Sequence, residues 1–340
     1  MNPETSRLAE RWPQLAPPVL GVLVLMAFLV AGRPPSDAYG WRMGFEVGHV
    51  PLFGLTALFM LRIVRVLRGG AVLERADFLI ALLATAILSL IAEAAQVLQP
   101  GRHANIGDAA NNLTGALCFI AIAAALHPAL WQSLGRDGPV AARLVLIGAV
   151  LALGLAIMPL AGVAWSYGMR AAAFPVIADL TQGWQRPFLS VGRSELARVP
   201  APRGWEEQAG SDVARLTFLD APWPGVTVRE PSPDWSNFAA LRFQVWSELD
   251  VPVEIVLRVD DTHRRRSHRD RYNGSLIVTP GLNDFSIPLS TISSGPRDRQ
   301  LDVGEISQFI LFSRRPDEPF ELYFGRFWLE GADKRIADMP

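Results

Sequence analysis

Residues 76–126 read ADFLIALLATAILSLIAEAAQVLQPGRHANIGDAANNLTGALCFIAIAAAL. Two apolar runs, each long enough to cross roughly 30 Å of hydrocarbon as a helix, flank a polar break. Glu93, Gln96, Arg102, Asp108 and Asn112 fall in or beside that break. Carboxylates, carboxamides and a guanidinium at the ends of lipid-compatible helices are costly unless they are paired or hydrated, so this stretch decides how the first half of the chain is read.

Working outward, three more runs of the same kind appear, giving expected spans over 14–31, 47–66, 76–98, 107–126 and 142–165. A signal peptide is the competing reading of the first, because Arg7 and Arg11 precede it, but no small-x-small cleavage site follows. Half of the 340 residues are hydrophobic and 19% are charged, a mixture that fits one apolar domain joined to one water-soluble domain. The net charge of -1 points to no class of partner. Cys118 is the single cysteine, which excludes an intrachain disulfide. Arg7, Arg11, Arg62, Arg65, Arg68, Arg75, Arg136 and Arg143 fall on one side of the five spans, against Arg33, Arg42 and Arg102 on the other. Positive residues stay on the cytoplasmic side, so the N-terminus is expected inside the cell and everything after the fifth span outside the cytoplasmic membrane.

With that orientation His49, Glu93, Gln96, Arg102, Asp108 and Asn112 all lie at the outer end of the bundle. Glu93 and Gln96 share one helix face, as do Asp108, Asn112 and Gly115, and Gly115 lets a neighbouring helix approach closely. Pro100-Gly101 supplies a turn. Glu93 lies more than a turn inside its span and needs a partner or a proton, with Arg102 and His49 as candidates. A ligand site and an ion-pair cluster that locks the helices are equally good accounts of these residues.

The combination of His49, Glu93-x-x-Gln96, Pro100-Gly101-Arg102, Asp108-x-x-x-Asn112 and Gly115 resembles the VanZ-like family, bacterial membrane proteins named for one associated with teicoplanin resistance. The likeness covers about residues 45–130. It departs from the family at Phe45-Glu46-Val47-Gly48, where an Asp-Lys pair is common. The resemblance implies a role in the cell envelope, with glycopeptide resistance or polysaccharide handling as its settings, and supplies no reaction.

Beyond Trp165 the pattern shortens to alternating runs at 174–179, 214–219, 225–230, 239–247, 253–260, 275–279, 283–288, 308–312 and 321–329. Period-two alternation with β-branched and aromatic residues, broken by turns such as Pro280-Gly281, predicts an antiparallel sandwich of nine strands. Pro224-Gly225-Val226, Asp234-Trp235, Arg258-Val259-Asp260-Asp261, Arg271-Tyr272-Asn273, Pro280-Gly281-Leu282-Asn283 and Leu322-Tyr323-Phe324 resemble jelly-roll carbohydrate-binding modules of the galactose-binding-like type. That likeness implies glycan binding, for which Trp246, Arg258, Asp260, Arg271 and Tyr272 are the candidate residues. It also implies a structural calcium, to which Asp179 is suited. The last strand reads Tyr323-Phe324-Gly325-Arg326, without the acid such modules place there, and no cofactor is expected. The loop THRRRSHRDRY at 262–272 carries Arg264, Arg265, Arg266, Arg269 and Arg271. Outside the membrane such charge suits anionic polysaccharide or lipid headgroups rather than nucleic acid, or is simply a solvated loop.

The expectation is therefore an α-helical transmembrane bundle of five spans followed by an all-β jelly-roll sandwich, in a bacterial inner-membrane protein. Its parts are a cytoplasmic tail at 1–13, a transmembrane domain at 14–165, a linker at 166–173, an extracytoplasmic sandwich at 174–331 and a tail at 332–340. Expected partners are membrane lipids and a glycan or lipid-linked envelope component. No catalytic motif or metal cluster is recognisable, so a non-enzymatic binding protein leads. The alternative is a membrane enzyme using His49, Glu93 and Asp108 as acid and base on a lipid-linked sugar or peptide.

Overall fold

The computed structural model describes residues 3–69, 72–97, 105–205, 212–263 and 267–331, with side chains from residue 11 onward. The chain divides into two compact units, 1–163 and 164–340.

The first unit is helical. Helices α1 (Pro3–Ala31), α2 (Tyr39–Arg68), α3 (Arg75–Val97), α4 (Ile106–Ala125) and α5 (Gly138–Ala173) each contain a stretch long and apolar enough to cross a membrane. Their ends are set by local chemistry. Gly69 adopts a left-handed conformation (φ 69°) and closes α2 through its N–H to the Arg65 carbonyl, a geometry glycine takes without steric cost. Asp77, in the first turn of α3, accepts the Glu74 backbone N–H at 2.7 Å and pairs with Arg68 at 2.7 Å. Asn105 caps α4 by accepting the Gly107 N–H at 2.9 Å.

Packing centres on α2, whose Ala57, Leu61 and Val64 meet Phe78 and Ala81 of α3 and Ala116 and Ile120 of α4. Gly115 makes the closest approach possible: a Cβ there would sit 2.0 Å from the Val50 carbonyl oxygen. Buried hydroxyls are satisfied within their own helices, Thr56 on the Leu52 carbonyl and Thr85 on the Ala81 carbonyl. Leu144, Ile147, Leu151, Leu155 and Met158 of α5 are exposed, as are Leu20, Phe28, Leu83, Ile87 and Leu90 on α1 and α3. Such surfaces are compatible with a multi-pass membrane protein.

The second unit is a two-sheet antiparallel sandwich. Sheet one has the order β3 (Ser194–Pro200), β4 (Asp212–Phe218), β11 (Phe320–Gly331), β6 (Phe238–Ser247), β9 (Gly281–Pro288), with β1 (Val176–Ala178) also paired to β11. Sheet two runs β2 (Leu189–Gly192), β5 (Gly225–Arg229), β10 (Ile306–Phe312), β7 (Val253–Asp261), β8 (Tyr272–Val278). Alternation sends Leu241, Phe243 and Val245 of β6 and Ile255, Leu257 and Val259 of β7 into a shared core with Phe218, Phe309, Phe324 and Phe327. Rings meet there directly, Phe243 on Phe327 at 4.8 Å and Phe309 on Phe327 at 5.3 Å between centroids. One short helix, α6 (Leu289–Ser293), follows β9 and buries Leu289 and Ile292.

Two details depart from the sequence reading. The edge strands β2 and β3 were not among the nine expected, because only Leu189 and Leu196 of these strands reach the core and the apolar alternation is weak. Residues 166–173, expected as a linker, are the last turns of α5. There Tyr167 Oη donates to Glu230 at 2.5 Å and Arg170 Nη1 to the Glu230 carbonyl at 2.7 Å, so this segment is bonded into the second unit rather than free. Arg102, the Pro100-Gly101 turn and Arg264, Arg265 and Arg266 lie outside the described residues.

Candidate functional site

Sheet two turns one face to the core and the other to solvent, and strand register builds the solvent face into a floor. Thr227 of β5 lies opposite Ile310 of β10, Ile310 opposite Arg258 of β7, and Arg258 opposite Asn273 of β8. Phe312 and Val256 form the adjacent row, one pleat along. Trp223 and Arg314 rise at one end, held together by the Trp223 N–H to the Arg314 carbonyl at 2.9 Å. His268 and Arg271 close the other side, and these groups line a groove of about 620 Å³.

Trp223 is 59% exposed and has φ 61°, a backbone region costly for a residue with a bulky side chain. Its indole meets Phe312 edge-on at 5.7 Å. An exposed ring on a strained loop offers a flat apolar face to whatever enters the groove. Arg258 is fixed by Asp260, Nε to Oδ1 at 3.0 Å and Nη2 to Oδ2 at 2.7 Å, and Asp260 also accepts from Gln308 at 2.6 Å. Asp260 is fully buried, so it orients Arg258 and does not itself face a ligand.

Of the other sequence candidates, Arg271 lines the groove and bonds His268. Tyr272 points the opposite way, into the core, where burial pushes its phenol pKa up. Trp246 lies on the outer face of sheet one, stacked on the buried Trp205 at 6.3 Å and 14°. A period-two pattern shows which residues share a face but not which face is covered. Trp223, Asn273, Arg314 and Phe312 escaped the sequence reading; the available signal for Trp223 was an aromatic residue set between Pro222 and Pro224 in a turn.

The wall carrying His268 and Arg271 is braced from behind. Arg299 Nη2 donates to Asp261 at 2.8 Å, its Nε reaches Asp270, and the Asp302 N–H adds 2.9 Å to Asp261. Burial raises the Asp261 pKa, but the Arg299 hydrogen bonds and the Asp302 amide outweigh it and leave the carboxyl below its ordinary value.

Asp179, suited to a calcium, accepts from Thr181 Oγ1 at 2.6 Å and pairs with Arg326 Nε at 3.2 Å. A guanidinium stands where the last strand would have to offer an oxygen, so these residues do not fit a hard cation.

In the helical unit the polar cluster is a chain of hydrogen bonds across three helices. Asn112 of α4 donates through Nδ2 to Ser89 Oγ at 2.9 Å and to Glu93 Oε1 at 3.3 Å, both on α3, and its Oδ1 meets His49 Nδ1 of α2 at 2.8 Å. Because the Asn112 amide nitrogen is spent on α3, its oxygen faces His49, which fixes the proton on Nδ1 and leaves Nε2 as the other edge of the ring. The direct partner of Glu93 is thus Asn112, with His49 one link further. Glu93 is buried, and its Oε2 has no hydrogen-bond partner among the described residues. Gln96 reaches the Leu29 carbonyl of α1 at 3.5 Å, and Asp108 accepts from Asn105 at 3.3 Å outside the chain. Ser89 and Asn111, which donates to the Glu46 carbonyl at 3.1 Å, were not foreseen. His49 also borders a cavity of about 320 Å³ walled by Phe28, Trp41, Phe45 and Leu52.

No family model and no curated protein matches the chain. Among solved structures it is similar to a family 11 carbohydrate-binding module from Clostridium thermocellum in complex with a β-1,3-1,4-mixed-linked tetrasaccharide. The identity is 14%, covering 42% of this chain and 88% of that one, with a TM-score of 0.33. A family 30 carbohydrate-binding module is 15% identical over 42% of this chain and 92% of its own, TM-score 0.31. A family 22 xylan-binding domain from Paenibacillus barcinonensis is 12% identical over 45% and 92%, TM-score 0.32.

Proposed function

We propose that this chain is a multi-pass protein of the bacterial cytoplasmic membrane, VanZ-like in its helical part, that presents a glycan-binding sandwich on the extracytoplasmic side and serves polysaccharide handling in the envelope. The observation that carries the reading is the sheet-two groove. An exposed indole, Trp223, stands over a row of planar and polar groups, Arg258, Asn273 and Thr227, set in register by four strands. Pyranoses present apolar C–H faces and a rim of hydroxyls, which an aromatic ring beside fixed hydrogen-bonding groups complements. Exposed apolar side chains on α1, α3 and α5 support the membrane assignment. Calorimetric titration of the full chain in lipid nanodiscs with a panel of oligosaccharides tests it. Saturable binding that Trp223→Ala weakens about 30-fold is expected, and no binding to any glycan overturns it.

The second reading, acid–base chemistry on a lipid-linked substrate, draws on His49 beside the apolar cavity and on its link through Asn112 to Glu93. Asp108 stands outside that hydrogen-bond chain, so His49 and Glu93 would carry the reaction. The network serves equally as a lock between α2, α3 and α4, and the lock is the reading adopted here.

A further inference from the structure

Resting on the glycan-binding reading of the sheet-two groove, we propose that its ligand is an acidic saccharide, one carrying carboxylate or sulfate groups. The groove is lined by Arg258, Arg271 and Arg314, and no acidic residue joins them among the described lining residues. Asp260, two residues along β7 on the same face, pairs with Arg258, and Arg271 and Arg314 add two more guanidinium groups to the lining. His268 shares a hydrogen bond with Arg271.

The form of Arg258 adds to its charge. Asp260 takes the Nε–Nη2 edge of the guanidinium in a two-point contact and fixes its plane. The Nη1 edge remains, and an arginine edge of this kind matches a planar carboxylate or two oxygens of a sulfate with two parallel hydrogen bonds. Its side chain is 16% exposed, so the group is largely desolvated and held before a ligand arrives, which raises the value of an anion contact. Arg314 shares its end of the groove with Trp223, so a sugar ring stacked on the indole would bring substituents within reach of a second guanidinium. A neutral glycan would leave these cations without new partners while displacing their water. A flat anionic lipid surface would not use a concave floor with an indole at its end.

The test is titration of the full chain in nanodiscs of neutral lipid with three probes: an oligouronate, a sulfated oligosaccharide and a neutral β-glucan oligosaccharide of similar length. The expected result is binding to one or both acidic probes at least about tenfold tighter than to the neutral one. That preference should shrink as salt rises from low to physiological strength and beyond. Arg314→Gln, at an exposed position, should weaken acidic binding about tenfold more than it weakens neutral binding. Trp223→Ala should weaken all binding. Equal affinity for neutral and acidic probes overturns the acidic preference and leaves the glycan reading standing. Failure of all three probes overturns both, as does retention of the chain by anionic-lipid vesicles with no competition from any saccharide.

Discussion

Trp223, Arg258 and Asp260 divide the work of the groove among three kinds of residue. The indole supplies exposed apolar surface, the guanidinium supplies directed donors, and the buried carboxylate holds the guanidinium still. Asp260→Asn keeps the shape but removes the charge that fixes Arg258. Glycan affinity should fall about tenfold and stability by about 2 kcal/mol, read by titration and thermal melting. Glu93 makes a different prediction. Its Oε1 accepts from Asn112, and a glutamine offers the same acceptor, so Glu93→Gln should leave thermal stability in detergent within about 1 kcal/mol of the parent. Asn112→Leu deprives His49, Ser89 and Glu93 together and should cost about 3 kcal/mol. If Glu93→Gln instead destabilised the helical unit strongly, the carboxylate rather than the hydrogen bond would be holding α3 to α4. The identity of these polar residues was legible in the sequence, but their pairing was not. Which of Arg102, His49 or Asn112 meets Glu93 depends on helix rotation, and rotation is decided by packing of the apolar faces.

At the scale of elements, the stretch leading into β8 is tied to β7 through Arg299, which joins Asp261 on β7 to Asp270. The folded pKa of Asp261 lies below its unfolded value, so this carboxylate contributes its full stabilisation above about pH 4 and loses it as pH falls through the folded value. Melting temperature should therefore drop between pH 6 and pH 3, and the drop should be smaller in Asp261→Asn; an unchanged acid limb would remove Asp261 from the account. Gly115 sets the α2–α4 distance. A side chain there meets the Val50 backbone, which cannot rotate away, so Gly115→Leu should yield little folded protein by size exclusion. Glycine at this position was readable as a helix-contact residue. The edge strands β2 and β3 were not readable, because an edge strand with one face in solvent needs little apolar alternation to be held by its neighbour.

For the whole molecule, the apolar surface of the five helices predicts a protein that stays with membranes after an alkaline wash and needs detergent for extraction. Cys118, the single cysteine, is buried, so Ser290→Cys on the exposed surface of the sandwich gives a reporter with low background. A membrane-impermeant thiol reagent should label it from outside in spheroplasts; labelling only after lysis would reverse the proposed orientation. The sequence alone determined the division into an apolar helical half and an alternating β half, because hydrophobic period and run length are local properties of the chain. Only the tertiary structure decided the groove. Thr227, Ile310, Arg258 and Asn273 come from four strands scattered between 225 and 312, and they become neighbours through register and the choice of buried face. Both are set by how two sheets close on one core, which no single segment contains.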